Sequence, residues 1–439
     1  MNRRDFLLTT GAAVLAPYCV SASAQQVLTA QPVKAQILPA GDPMTQMLGF
    51  NGSTPGPTLR TKQGELFDIR FDNQIDQGSA VHWHGLRIEN AMDGVPGMTQ
   101  PMVEPGSAFT YRFRAPDAGT YWYHSHNRSS EQVARGLYGP LIVEETTPPD
   151  VDHDLIVMID DWRLSEDGVL FGDFENLHDQ AHSGRLGNFA RVLVEPETPV
   201  KRGDRVRLRL INVATDRIFP VEIAGIDGKI VALDGMPLNA PQDIAELVLA
   251  PAQRVDILAD IAAEDRISFV FPTRGGPYEL GEVPVAGENT TRPPTPIPAL
   301  PPNRTATPDL SAPVRLTLTM EGGAMSQRMR QGLMSEGIWA FNGQSGMTDT
   351  PLHRFERGQT AVIRMVNDTR FPHGIHLHGH HFHELDPDGA LGALRDTSLV
   401  NPGQSQDIAC VFDNPGKWLM HCHMLGHQAA GMKTWVEVT

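Results

Sequence analysis

The run His421-Cys422-His423-Met424-Leu425-Gly426-His427-Gln428-Ala429-Ala430-Gly431-Met432 ends seven residues before the C-terminus. A thiolate, an imidazole five residues on and a thioether five beyond that are three of the four donors of a blue-copper electron-transfer site. One more histidine must come from elsewhere. His421 and His423 then need a different task. In an extended segment residues i and i+2 share a face while i+1 points the other way. One tripeptide can therefore serve two metal centres, through Cys422 on one side and two imidazoles on the other.

His-x-His occurs four times, as His82/His84, His124/His126, His376/His378 and His421/His423. Each pair projects two imidazoles from one face of a strand, and imidazole suits copper, zinc and nickel. Eight such histidines on two similar units that face one another can hold a cluster of ions between them. His373, in Phe371-Pro372-His373-Gly374-Ile375-His376, supplies the missing donor for Cys422, His427 and Met432.

The elements that position these residues form an internal repeat. Gly64, Arg70 and Asn73 recur at identical offsets as Gly203, Arg209 and Asn212, and again as Gly358, Arg364 and Asn367. Nine residues past each Asn stand His82-Trp83-His84, Val221-Glu222-Ile223 and His376-Leu377-His378. Gly119 and Gly416 precede their histidine pairs by five residues, and Phe50-Asn51-Gly52 returns as Phe341-Asn342-Gly343. Short apolar stretches punctuated by 41 Gly and 35 Pro read as strands, so the expected fold is all-β, with three β-sandwich units. The middle unit keeps the framework without the histidines and reads as a spacer. The expected boundaries are 25–147, 148–280 and 314–439, joined by a Pro-rich connection over 281–313 with no convincing strand.

Residues 1–24 read as an export signal. Arg3-Arg4 with Phe6-Leu7 resembles the twin-arginine type, and Ala22-Ser23-Ala24 resembles a cleavage site, so a bacterial periplasm is the expected destination. Cys19 would leave with the signal. Cys410 and Cys422 alone make no disulfide framework, and Cys410 reads as a buried strand residue. No apolar run is long enough to span a bilayer. A net charge of −16 argues against nucleic acid as a partner and favours approach of cations and neutral organics.

The motifs HWHG, YHSH, HGIHLHG and HCHMLGHQAAGM together resemble those of three-domain bacterial multicopper oxidases of the laccase and cuprous-oxidase type, across essentially all of residues 25–439. The resemblance implies three cupredoxin-like Greek-key domains and four coppers per chain. It implies that His373, Cys422, His427 and Met432 bind a type 1 copper that accepts electrons, and that His82 and His376 bind a type 2 copper. His84, His124 and His423 would hold one type 3 copper, and His126, His378 and His421 the other. The implied reaction takes single electrons from phenols or aromatic amines and reduces dioxygen to water. Asp93, in Met92-Asp93-Gly94, matches the acid that the family places near the type 2 copper as a proton relay.

Two departures stand out. Many relatives carry an acid directly after the His427 position, where this chain has Gln428, which exchanges no protons at ordinary pH. Met320, Met325, Met329 and Met334 fall where family members that oxidise Cu(I) carry a Met-rich insertion, yet their spacing suits one face of a short helix packed on the core. The expectation is a laccase-like oxidase acting as a monomer, with a cuprous oxidase of periplasmic copper tolerance as the alternative. A non-catalytic three-domain scaffold is disfavoured, because every copper-motif residue is in place. His380, His381 and His383 are expected to be exposed or hydrogen-bonded rather than metal-bound.

Overall fold

Asn73, Asn212 and Asn367 do the same work at the end of three equivalent strands. Each turns its side-chain amide to a carbonyl just ahead in the chain and to a distant one: Gln77 and Val103, Arg217 and Leu249, Phe371 and Val400, all at 2.8–2.9 Å. Each side-chain oxygen accepts the backbone N–H two residues on, at 3.0–3.2 Å. The chain is thus locked as it leaves one sheet for the other, nine residues before each ligand tripeptide. The repeated Gly64, Gly203 and Gly358 open these strands with φ of +78°, +85° and +85°, a left-handed turn conformation that a side chain would strain.

The computed structural model describes residues 25–293, 295–326 and 337–439. The expected export signal, Met329 and Met334 lie outside the described residues. Strands between Gln26 and Glu144 form two four-stranded sheets. Those between His153 and Glu288 form a six- and a five-stranded sheet, and those between Val314 and Val438 another six and five. In each third the first strand runs parallel to the strand that carries the repeated Arg and Asn. Parallel pairing beside antiparallel meanders gives three cupredoxin-like sandwiches, each on its own apolar core around Phe71, Leu208 and Ile363. Among the described residues no helix is long and apolar enough to cross a membrane.

Two expectations change. The stretch 281–313 was expected to hold no strand, but Gly276–Glu288 is one continuous strand that pairs with Arg266–Thr273. Val283 and Val285 face the core, and Pro284 between them is exposed, so the proline sits on the solvent side of a period-2 pattern. Met320 is no helix residue either. It ends the alternation Leu318, Met320 on the strand Val314–Gly322 and is fully buried, whereas Met325 is 55% exposed just beyond.

Candidate metal centres

The ligand tripeptides sit on paired strands or run off their ends, with His126, His378 and His423 each one residue beyond a strand. Val81–His84 runs antiparallel to Gly119–Ser125 with His82 opposite His124, and His373–Leu377 runs antiparallel to Gly416–Cys422 with His376 opposite His421. The two pairs of strands bring their histidines together face to face. His82 stacks on His378 with ring centroids 4.0 Å apart, and His84 on His376 at 3.9 Å. His378 Nε2 and His421 Nε2 point at each other across 3.1 Å. His126, His378 and His421 form one three-nitrogen group, and His82, His84 and His124 another. The His423 ring closes on the second, 4.9 Å from His84 and 5.3 Å from His124. All eight imidazoles are buried.

Their nitrogens divide into two sets. One set is anchored: His82 Nδ1–H donates to Asp93 O at 2.7 Å, His124 Nδ1–H to Ser125 O at 3.0 Å, His376 Nδ1–H to Asp396 O at 2.8 Å and His421 Nδ1–H to Cys422 O at 2.9 Å. The other set has no hydrogen-bond partner among the described residues. It comprises Nε2 of His82, His124, His126 and His376, Nδ1 of His84, and both nitrogens of His423. Buried polar atoms are rarely left unpaired, and a group of them converging on one space marks a ligand. Burial holds His84, His124, His126, His378, His421 and His423 well below the ordinary imidazole range, so their lone pairs stay free of protons. Neutral imidazoles facing inward without hydrogen-bond partners fit copper.

On the opposite face of the strand, Cys422 Sγ lies 3.7 Å from His373 Nδ1 and 3.8 Å from His427 Nδ1, and those two nitrogens are 3.1 Å apart. Met432 is fully buried in the same core, and its carbonyl accepts the Cys422 N–H at 3.1 Å. Burial pushes the Cys422 thiol up, out of its ordinary range, and lowers His427 to about 4. A buried thiol beside two neutral imidazoles becomes a thiolate when a cation takes the proton's place. This donor set of one sulfur and two nitrogens also fits copper.

Two carboxylates reach the histidine group. Asp93 Oδ2 is 2.9 Å from His378 Nδ1 and its Oδ1 is 3.4 Å from His82 Nδ1. Asp396 was missed by the sequence reading. Its Oδ1 accepts from His84 Nε2 at 3.2 Å and from Thr397 Oγ1 at 2.8 Å, and Arg254 of the middle sandwich grips both of its oxygens at 2.9 and 2.6 Å. Burial alone would raise the Asp396 carboxyl, but Arg254 and His84 hold it well below the usual carboxylate range. The available signal was faint: an acid opening the strand Thr397–Val400, which pairs with the strand bearing His376. Arg254 carried no signal at all, because nothing in one repeat says what another will touch.

Gln428 lines a cavity of about 540 Å³ that reaches His126. Asp349 is the one carboxylate among its described lining residues, beside Arg128, Lys417 and Lys433. His380, His381 and His383 are hydrogen-bonded to the carbonyls of His378, Asp234 and Gly392, one of the two states expected for them. Cys410 is buried and directs its thiol at the His381 carbonyl.

Comparison with known proteins agrees with this geometry. Three family descriptions, each given as multicopper oxidase, match residues 32–148, 159–277 and 310–439. The multicopper oxidase MmcO of Mycobacterium tuberculosis is 32% identical over 93% of this chain and 85% of its own length. Copper resistance protein A of Pseudomonas syringae pv. tomato is 25% identical over 89% of each. The crystal structure of Lac15 from a marine microbial metagenome superposes with a TM-score of 0.82 at 66% identity, over 94% of this chain and all of that one. On these matches, the chain belongs to the multicopper oxidase family and is a copper-dependent oxidoreductase.

Proposed function

We propose that the chain is a laccase-like oxidase that takes single electrons from phenols or aromatic amines at the Cys422 site and passes them to dioxygen at the histidine group. The observation that carries this reading is Cys422 itself, which ends the strand Gly416–Cys422 between His421 and His423 and faces the other way. His373, Cys422, His427 and Met432 would hold a type 1 copper, His82 and His376 a type 2 copper, and His84, His124, His423, His126, His378 and His421 two type 3 coppers. Copper so bound supplies one-electron acceptance at the first site and four-electron reduction of dioxygen to water at the second. The protein supplies the rest. The backbone joining Cys422 to its neighbours links the two sites, and both are buried, with the cavity at Gln428 reaching the histidine group at His126. Asp93 is placed to hold and release a proton at its Oδ2, against His378. Gln428 cannot take that part on the cavity side.

Residues 25–147, 148–288 and 314–439 are read as the three domains, the second extended to the end of the strand Gly276–Glu288, and 289–313 as the Pro-rich connection. Both histidine-bearing domains lie in one chain, so a monomer suffices. Twin-arginine export to the periplasm fits an enzyme that leaves the cytoplasm folded around its metal. The likeness to copper resistance protein A supports a second reading, cuprous oxidation in copper tolerance. Of the methionines that reading needs, Met320 is buried in the core and unavailable to an incoming ion.

Copper analysis with spectroscopy tests the assignment. The expected result is four coppers per chain, an intense blue absorption that Cys422→Ser abolishes, and oxygen uptake with a methoxyphenol. A well-folded, colourless protein holding less than one copper would refute it.

A further inference from the structure

Each imidazole beside Cys422 has one nitrogen turned away from the thiol, and both outward nitrogens are occupied. His373 Nε2 shares a 2.9 Å hydrogen bond with Thr369 Oγ1, and His427 Nε2–H donates to the backbone carbonyl of His182 at 2.7 Å. Both rings are fully buried. While these bonds stand, no donor molecule can bond to either ring. The atom that continues outward from His427 belongs to the middle sandwich.

His182 follows the short helix Leu177–Ala181. Backbone carbonyls seat that helix on the third sandwich: Gln180 O accepts Trp339 Nε1–H at 2.6 Å, and Ala181 O accepts Ala324 N–H at 2.7 Å. The His182 ring stacks on the His178 ring, with centroids 4.1 Å apart and planes within 19°. Its Nδ1–H is tied to the His178 carbonyl at 2.7 Å. His178 is exposed, and Leu177 beside it is 71% exposed. Phe371 meets His182 edge-on at 5.7 Å and Trp339 at 5.8 Å, and Trp339 lies 4.3 Å from the His427 ring. Near-parallel rings do not converge two nitrogens on one ion, so the pair is poorly built for a metal. An exposed ring on a stack, with a bare leucine beside it and aromatic edges behind, suits another flat ring.

We infer that a planar aromatic donor docks on the His178–His182 pair, and that its electron reaches the Cys422 site through the His182 carbonyl. This rests on the laccase-like reading above and names where its donor sits. The donor loses one electron, and a phenol also releases its hydroxyl proton to solvent. Four such losses match the reduction of one dioxygen, the oxidant of the family reaction. No bond forms between donor and protein. The middle sandwich, which lacks the His-x-His pairs, is then the donor-binding domain.

Steady-state kinetics of the copper-loaded enzyme test this with two donors, a methoxyphenol and ferrocyanide, which transfers electrons without stacking. In His178→Ala and His182→Ala, KM for the methoxyphenol should rise about three- to tenfold with kcat nearly unchanged, the loss expected for one aromatic stack. KM for ferrocyanide and the blue absorption should stay as they were. His178→Phe, which keeps a flat ring, should return KM to near the parent value. An unchanged methoxyphenol KM in both alanine variants overturns the proposal. So does a His178→Phe enzyme as impaired as His178→Ala, or an equal loss on both donors with a shifted blue band. If the unaltered protein shows no blue band and no ferrocyanide oxidation, the laccase-like reading itself has failed.

Discussion

Asp93 and Asp396 are both buried and both touch the histidine group, yet their surroundings assign them different work. Asp396 is gripped by Arg254, Thr397 and His84, so its charge and position are fixed. Its task is to hold His84 by Nε2 and leave Nδ1 facing inward. Asp93 meets His378 Nδ1 at 2.9 Å and His82 Nδ1 at 3.4 Å, and the loop that follows it, Val95 to Met98, walls the cavity reaching His126. Of the two, Asp93 is the one placed as a proton relay. Asp93→Asn keeps the shape and removes that capacity, and oxygen uptake at saturating donor should fall about a hundredfold. Blue absorption and copper content should not change. A variant with parental oxygen uptake would remove Asp93 from the proton path.

At the scale of elements, the histidine strands were readable because a period of two is stamped into His-x-His and because the repeat places each pair after the same Asn corner. The strand through Pro284 was not readable, since proline usually argues against a central strand and only the paired structure shows it facing solvent. Contacts between repeats were equally hidden. The helix Leu425–Ala429 that carries His427 is clamped by the middle sandwich at three points. Thr215 O accepts Leu425 N–H at 2.9 Å, Asp216 Oδ1 accepts Gly426 N–H at 2.9 Å, and His182 O accepts His427 Nε2–H. Burial raises the Asp216 carboxyl from 3.8 to about 6, despite the backbone N–H groups of Gly426 and Arg185 that it accepts. The folded protein then binds this proton more tightly than the unfolded chain does. Its stabilising effect is full below about pH 4 and is lost as pH rises through 6, a change of about 3 kcal/mol. Asp216→Asn should therefore flatten the fall in Tm between pH 4 and 6. An unchanged slope would show that Asp216 does not titrate there.

At the scale of the molecule, the histidine group belongs to no single sandwich, for the first and third each contribute four of its eight rings. Bound metal is therefore a tie between distant parts of the chain. Removing copper with a chelator under reducing conditions leaves the inward nitrogens of His82, His84, His124, His126, His376 and His423 without partners. It should lower Tm by several degrees, because each site filled at a hundred to a thousand times its Kd adds about 3 to 4 kcal/mol. Returning copper should restore Tm, whereas calcium, a hard ion that prefers oxygen, should not. Equal Tm with and without copper would show that the sandwiches hold together unaided.

The alternating faces of Gly416–Cys422 also constrain how this enzyme can vary in length. A substitution in that strand alters one contact. A single-residue insertion or deletion just before His421 would turn Cys422 towards the oxygen-reducing side and its neighbours away from it, and both sites would be lost in one event. Tolerance to added or missing residues should therefore collect in the Pro-rich stretch after Glu288, and vanish within the strands that carry the ligands.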